Sequence, residues 1–135
     1  MADVQYSNVI AHLLQVLPDI RQLYEKRSAE LYADCNPHVV YGSILVEYID
    51  SIANGLVGPN HALNDQRLKE AFQLIEELSA SSDFESRCLA ETSVLEALLG
   101  EKGGLERFAP YMRSETKKLA RGVAQSWGLN AELLS

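Results

Sequence analysis

LKEAFQLIEELSASSDFESRCLAETSVLEALLG, residues 68–100, decides the fold. Its first part sets Leu68, Ala71, Phe72, Ile75 and Leu78 at the i, i+3, i+4, i+7 spacing that gathers apolar side chains on one side of a helix. Lys69, Glu70, Gln73, Glu76 and Glu77 fall on the opposite side. Ser79-Ala80-Ser81-Ser82 closes the stripe, and Ser82-Asp83-Phe84-Glu85 reads as an S-x-x-E capping box, in which two side chains satisfy two free backbone amides. The same period then predicts a second helix that buries Phe84, Cys88, Leu95, Leu98 and Leu99 and stops at Gly100, Gly103 and Gly104. Two amphipathic helices joined by so short a turn pack as antiparallel neighbours.

Toward lower numbers the helical pattern continues. Tyr6, Val9, Ile10, Leu13, Leu14 and Leu17 form one stripe, which Pro18 breaks. A following helix, with Asp19 in its first turn, places Ile20, Leu23, Tyr24 and Leu31 inward and ends before Asn36-Pro37. Residues 38–54 give a broad apolar face (Tyr41, Ile44, Leu45, Tyr48, Ile49, Ile52) opposite Glu47, Asp50, Ser51 and Asn54. Gly55, Gly58, Pro59 and Asn60 make a loop, after which Asn64 reads as an N-cap. Toward higher numbers, Leu105, Phe108, Ala109 and Met112 suggest a short helix interrupted at Pro110. Ser114 reads as the cap of a last helix that buries Leu119, Ala120, Val123 and Trp127 and shows Lys117, Lys118, Arg121 and Gln125 outside. The expectation is one all-α domain over residues 1–135, a six- to seven-helix bundle or a short array of stacked helical hairpins.

The chain of 135 residues is long enough to bury a core without metal or disulfide staples. Two cysteines do not make a disulfide framework, and no apolar run is long enough to span a bilayer. MADVQYSNVI has no basic stretch ahead of an apolar block, so the expectation is a cytoplasmic protein. The net charge of −7 is unevenly placed, with −4 over residues 1–63, −6 over 64–101 and +3 over 102–135. Such a chain is a poor general ligand for nucleic acid, whose affinity comes from Lys and Arg displacing counterions. It suits a basic protein partner, which a negative field steers into contact.

The residues that carry chemistry are few. Cys35-Asn-Pro-His38 has C-x-x-H spacing, but zinc needs about four ligands, and His12 and His61 lie on separate elements. Ser114-Glu-Thr-Lys117 has the S-x-x-K spacing of some acyl-enzymes and reads better as a helix cap beside an exposed lysine. Phosphate-cradling glycine loops and H-E-x-x-H are missing from the sequence. Glu91 falls on the apolar stripe between Cys88 and Leu95, where a carboxylate must be paired, protonated or rotated to the boundary. Most of the six tyrosines fit buried stripes with their hydroxyls at the rim, and at least one is open to interface use. The stripe Lys117, Lys118, Arg121, Gln125 has no interleaved aromatics and makes a weak nucleic-acid surface. Neither cofactor nor metal is expected, and no catalytic residue is assigned.

FQLIEELSASSD (Phe72–Asp83), ETSVLEALLGE (Glu91–Glu101) and YMRSETKKLARGVAQSW (Tyr111–Trp127) resemble a family of small helical immunity proteins from bacterial polymorphic and contact-dependent toxin systems. In these an IEEL-type helix, a short Ser/Asp turn, an E-x-x-x-L-E-x-L helix and a last helix ending in Trp follow one another. The resemblance covers residues 41–127 and implies a protein that neutralises a partner toxin by binding it. Many such toxins are nucleases with basic active sites, which an acidic inhibitor can cover. The expected partner surface is Glu47, Asp50, Glu70, Glu76, Glu77 and Glu85, all placed outside the core by periodicity. The competing readings are a helical adaptor without a toxin partner and a small helical enzyme or ligand-binding protein built around Glu91 and the tyrosines.

Overall fold

A computed structural model describes residues 4–31, 36–54 and 61–135. Among these residues there are seven helices and no strand. Helix α1 (Val9–Val16) follows a 3-10 turn at Tyr6–Asn8, and α2 (Arg21–Leu31) follows a second such turn at Pro18–Ile20. Helix α3 spans residues 37–54, α4 is His61–Ser79 and α5 spans residues 84–100. Helix α6 (Gly104–Phe108) leads into a 3-10 turn at Ala109–Tyr111, and α7 is Ser114–Ser126. The loop glycines and proline expected at 55–60 lie outside the described residues, as do Cys35 and the side chain of Leu31. None of the described helices is long and apolar enough to cross a membrane.

The stripes of α3 and α4 pack as their spacing requires. Tyr41, Ile44, Leu45, Ile49, Leu68, Phe72, Ile75 and Leu78 are fully buried. The Tyr41 hydroxyl reaches α1 and donates to the Val9 carbonyl at 2.6 Å, so the one polar atom of that large buried side chain is satisfied. The Phe72 ring stacks on Phe108 at 5.8 Å and on Tyr111 at 6.0 Å, which joins α4 to α6 and the turn after it.

Helix α5 departs from the expected phase. Its middle, Leu89–Leu95, is π-helical, as is Val40–Leu45 in α3. The wider i→i+5 bonding winds more slowly than 3.6 residues per turn. Buried side chains therefore recur at every fourth position, Ser86, Ala90, Val94 and Leu98. A 3.6-residue period run back from Leu95 and Leu99 would turn Phe84 and Cys88 inward. Instead Phe84 is 68% exposed and Cys88 is half-buried with a free thiol. Glu91 sits at the boundary, and Thr92 faces solvent with its hydroxyl donating to the Cys88 carbonyl. The two π segments pack against each other. Gly42 eases the approach: a Cβ there would lie 3.2 Å from the Ser93 carbonyl oxygen, a tight contact. Beside it His38 Nδ1 and Ser93 Oγ are 2.5 Å apart.

Several helix ends differ from the expectation. Helix α4 starts at His61, three residues before Asn64. The N-cap of α5 is Asp83, one residue after Ser82, with its carboxylate accepting from the Glu85 amide at 3.2 Å. Asp83 also accepts from Ser86 Oγ and, at 2.6 Å, from the Tyr6 amide, so this cap fastens the 4–8 segment as well as the helix. Ser81 Oγ donates to the Val4 carbonyl at the same junction. Helix α7 begins after Arg113 with no capping side chain of its own, so Ser114 is not its cap. Trp127 is 45% exposed and rests against the Cβ-less face of Gly100, with ring carbons 3.5 Å from where a Cβ would stand.

Candidate functional site

The structure divides the six expected partner-binding carboxylates into tied and free. Glu47 on α3 forms a two-point ion pair with Arg27 of α2, at 3.0 Å from Nε and 2.5 Å from Nη2. These hydrogen bonds hold its pKa below the usual carboxylate range. Glu76 replaces the missing cap of α7. It accepts from the amides of Glu115 and Thr116 at 3.1 and 2.9 Å and from the Thr116 hydroxyl at 2.9 Å. A carboxylate at that position satisfies orphan donors and opposes the positive end of the helix dipole. Glu77 contacts His12 Nε2 at 3.0 Å and links α4 to α1. Asp50 faces Glu101, and its Oδ1 is buried without a hydrogen-bond partner among the described residues. Burial and the Asp50 carboxyl together push Glu101 up to about 7, against the pull of Arg107.

Glu70 and Glu85 remain exposed, and no ion pair within the described residues engages them. They lie on different helices: Glu70 is in the middle of α4, and Glu85 is in the first turn of α5. Four of the six thus also serve contacts inside the fold, while Glu70 and Glu85 do not among the described residues. Periodicity decides which residues leave the core, but not which of those find a partner on a neighbouring helix.

A different surface is built by the π segment of α5. Because the helix winds slowly, Phe84, Cys88, Thr92, Glu96 and Gly100 follow one another at every fourth position along its outer side. Exposed Phe84 stands at one end, with the Arg87 guanidinium 5.7 Å from its ring centre. Trp127 stands at the other end, over Gly100. Glu85, Glu91 and Glu96 lie along or beside the row and enter no ion pair among the described residues. Aromatic rings at both ends of a carboxylate-bearing helix offer what a protein interface needs: large rigid anchors and charges that orient the partner. The every-fourth recurrence of small or apolar residues at 86, 90, 94 and 98 is the sequence signal from which this row was legible.

No group of three or more His, Cys, Asp or Glu side chains that could hold a metal occurs among the described residues. No curated protein and no solved structure matches the chain. A family model does, over residues 10–128, a span that contains all seven helices apart from the first residue of α1. The chain belongs to the family described as a domain of unknown function, DUF7674.

Proposed function

We propose that this protein binds and neutralises a basic toxin domain, and that it docks through the outer row of α5. One observation carries the reading: Phe84 and Trp127 are exposed at opposite ends of a helix whose carboxylates Glu85, Glu91 and Glu96 lack internal partners among the described residues. Exposed aromatic side chains cost solvation in a monomer and are the side chains most enriched at binding hot spots. The carboxylates match a surface that holds phosphate with Lys and Arg. The three segments that resemble immunity proteins are the end of α4, most of α5 and the whole of α7, which frame this row.

The test is binding kinetics on a surface carrying a candidate toxin domain taken from the genes next to this chain's own. Phe84→Ala is expected to weaken binding about tenfold or more, mainly through faster dissociation. Glu85→Lys with Glu96→Lys is expected to slow association at low salt and to flatten its salt dependence. Lys117→Glu with Lys118→Glu, on the exposed side of α7, should leave both unchanged. Binding that survives the first two changes, or no binding by the parent chain, would defeat the proposal.

A further inference from the structure

A second site lies away from the α5 row, between α4 and the α6–α7 connection. It is a cleft of about 640 Å³ lined by Asp65, Lys69, Arg107, Pro110, Tyr111 and Arg113. That volume is within the range of small-ligand pockets, roughly 300–1,000 Å³. Three of its six lining side chains are cations, in a chain whose net charge is −7.

Its single carboxylate is already engaged. Asp65 accepts from the Tyr111 hydroxyl at 2.6 Å with one oxygen and pairs with Lys69 Nζ at 3.0 Å with the other. Both contacts hold the Asp65 pKa below its ordinary value, and burial with the Asp65 bond pushes Tyr111 up to about 12. The phenol therefore stays protonated and the carboxylate ionised through the neutral range. Arg107 lies over the Phe108 ring at 5.0 Å and has Glu101 at 3.5 Å, a long pair. Arg113 bonds only the neutral amide oxygen of Gln73 among the described residues. The cleft thus carries uncompensated positive charge. Its walls are flat and apolar at Pro110 and at the Tyr111 ring, which the stack on Phe72 fixes.

We propose that this cleft binds a small organic anion, a phosphate or carboxylate carried on a flat apolar body. Arg113 and Lys69 take the anion, Arg107 closes the charge from the far wall, and the body lies against Tyr111 and Pro110. Guanidinium groups suit this role because they present parallel N–H donors to oxyanions while their planes pack on rings. The site uses no residue of the α5 row, so either proposal can fail without the other.

Amide NMR of the 15N-labelled protein tests the site, with phenyl phosphate, inorganic phosphate and benzyl alcohol as separate probes. Phenyl phosphate is expected to shift amides of residues 65–73 and 107–113 saturably at millimolar levels, with the other two binding more weakly. Arg113→Gln with Lys69→Gln, both exposed and remote from the core, should weaken phenyl phosphate binding about tenfold, the scale of a lost charge-assisted contact. Circular dichroism of that double variant should match the parent. No saturable shift up to about 10 mM, which corresponds to less than about 3 kcal/mol of binding, would overturn the proposal. Shifts centred on Lys117 and Lys118 would overturn the location, and inorganic phosphate binding as well as phenyl phosphate would overturn the organic body.

Discussion

Glu76 stands on the solvent side of its own helix by periodicity, yet it holds the start of another. Its carboxylate takes two amides and a hydroxyl at the head of α7, a role the local sequence Arg113-Ser114 does not fill. Glu76→Ala is expected to cost about 2 kcal/mol in urea unfolding, the combined scale of a lost cap and of hydrogen bonds to a charged acceptor. Glu70→Lys, at an exposed position nearby in sequence, should stay within about 0.5 kcal/mol of the parent. Glu101 gives a pH prediction. Its folded-state pKa of about 7 lies above the ordinary 4.5, so between those values the folded chain keeps a proton that the unfolded chain has released. The stability this contributes is full below the unfolded value and is lost as pH rises through about 7. Melting temperature followed across that window should fall for the parent, and Glu101→Gln, which cannot titrate, should fall less. An identical slope in both proteins would show that the proton is not held there.

At the scale of elements, α4 was legible because it is regular α-helix throughout, and α3 because its apolar face is broad enough to absorb a change of pitch. Tyr41, Ile44, Leu45 and Ile49 are all buried even though Val40–Leu45 is π-helical. In α5 the π segment takes up the middle of the helix, and the same widening turned Phe84 and Cys88 out of the core. Leu95, Leu98 and Leu99 lie at or beyond the end of the widened segment, where the two phases agree, and they are buried as expected. Leu95→Ala should cost about 2–5 kcal/mol, measured by denaturant unfolding. The cap of α5 differs from the local motif for a related reason: Ser82 fits that motif, but Asp83 reaches Tyr6 and Ser86 as well as Glu85, and tertiary contacts choose between neighbouring candidates. After α5 the chain turns tightly at Gly103, in the left-handed region, and Gly104 presses against the preceding helix. A Cβ on Gly104 would stand 1.9 Å from the Leu98 carbonyl oxygen, so Gly104→Ala forces the backbone apart. A loss of about 3 kcal/mol, the upper end for overpacking, is expected in the same unfolding experiment.

At the scale of the molecule, the all-helical architecture follows from composition and period, whereas the candidate sites do not. The cleft joins Asp65 to Arg113, and the tied carboxylates reach Arg27, His12 and Thr116 on other helices, pairings that no local spacing encodes. Phe72 ties the core to that cleft through its stacks on Phe108 and Tyr111. Phe72→Ala should therefore cost about 3–5 kcal/mol, and calorimetry should show a low or missing transition, since that loss rivals the stability of a whole small domain. The junction of Val4 and Tyr6 with Ser81 and Asp83, spanning 77 residues in each case, has a consequence in time. Translation at about 5–20 residues per second separates the emergence of Val4 from that of the turn that bonds it by roughly 4–15 s. Throughout that interval Val4, which the folded chain buries, has no turn to dock on. The nascent chain carries Val4 uncovered until α4 and the turn behind it have left the ribosome.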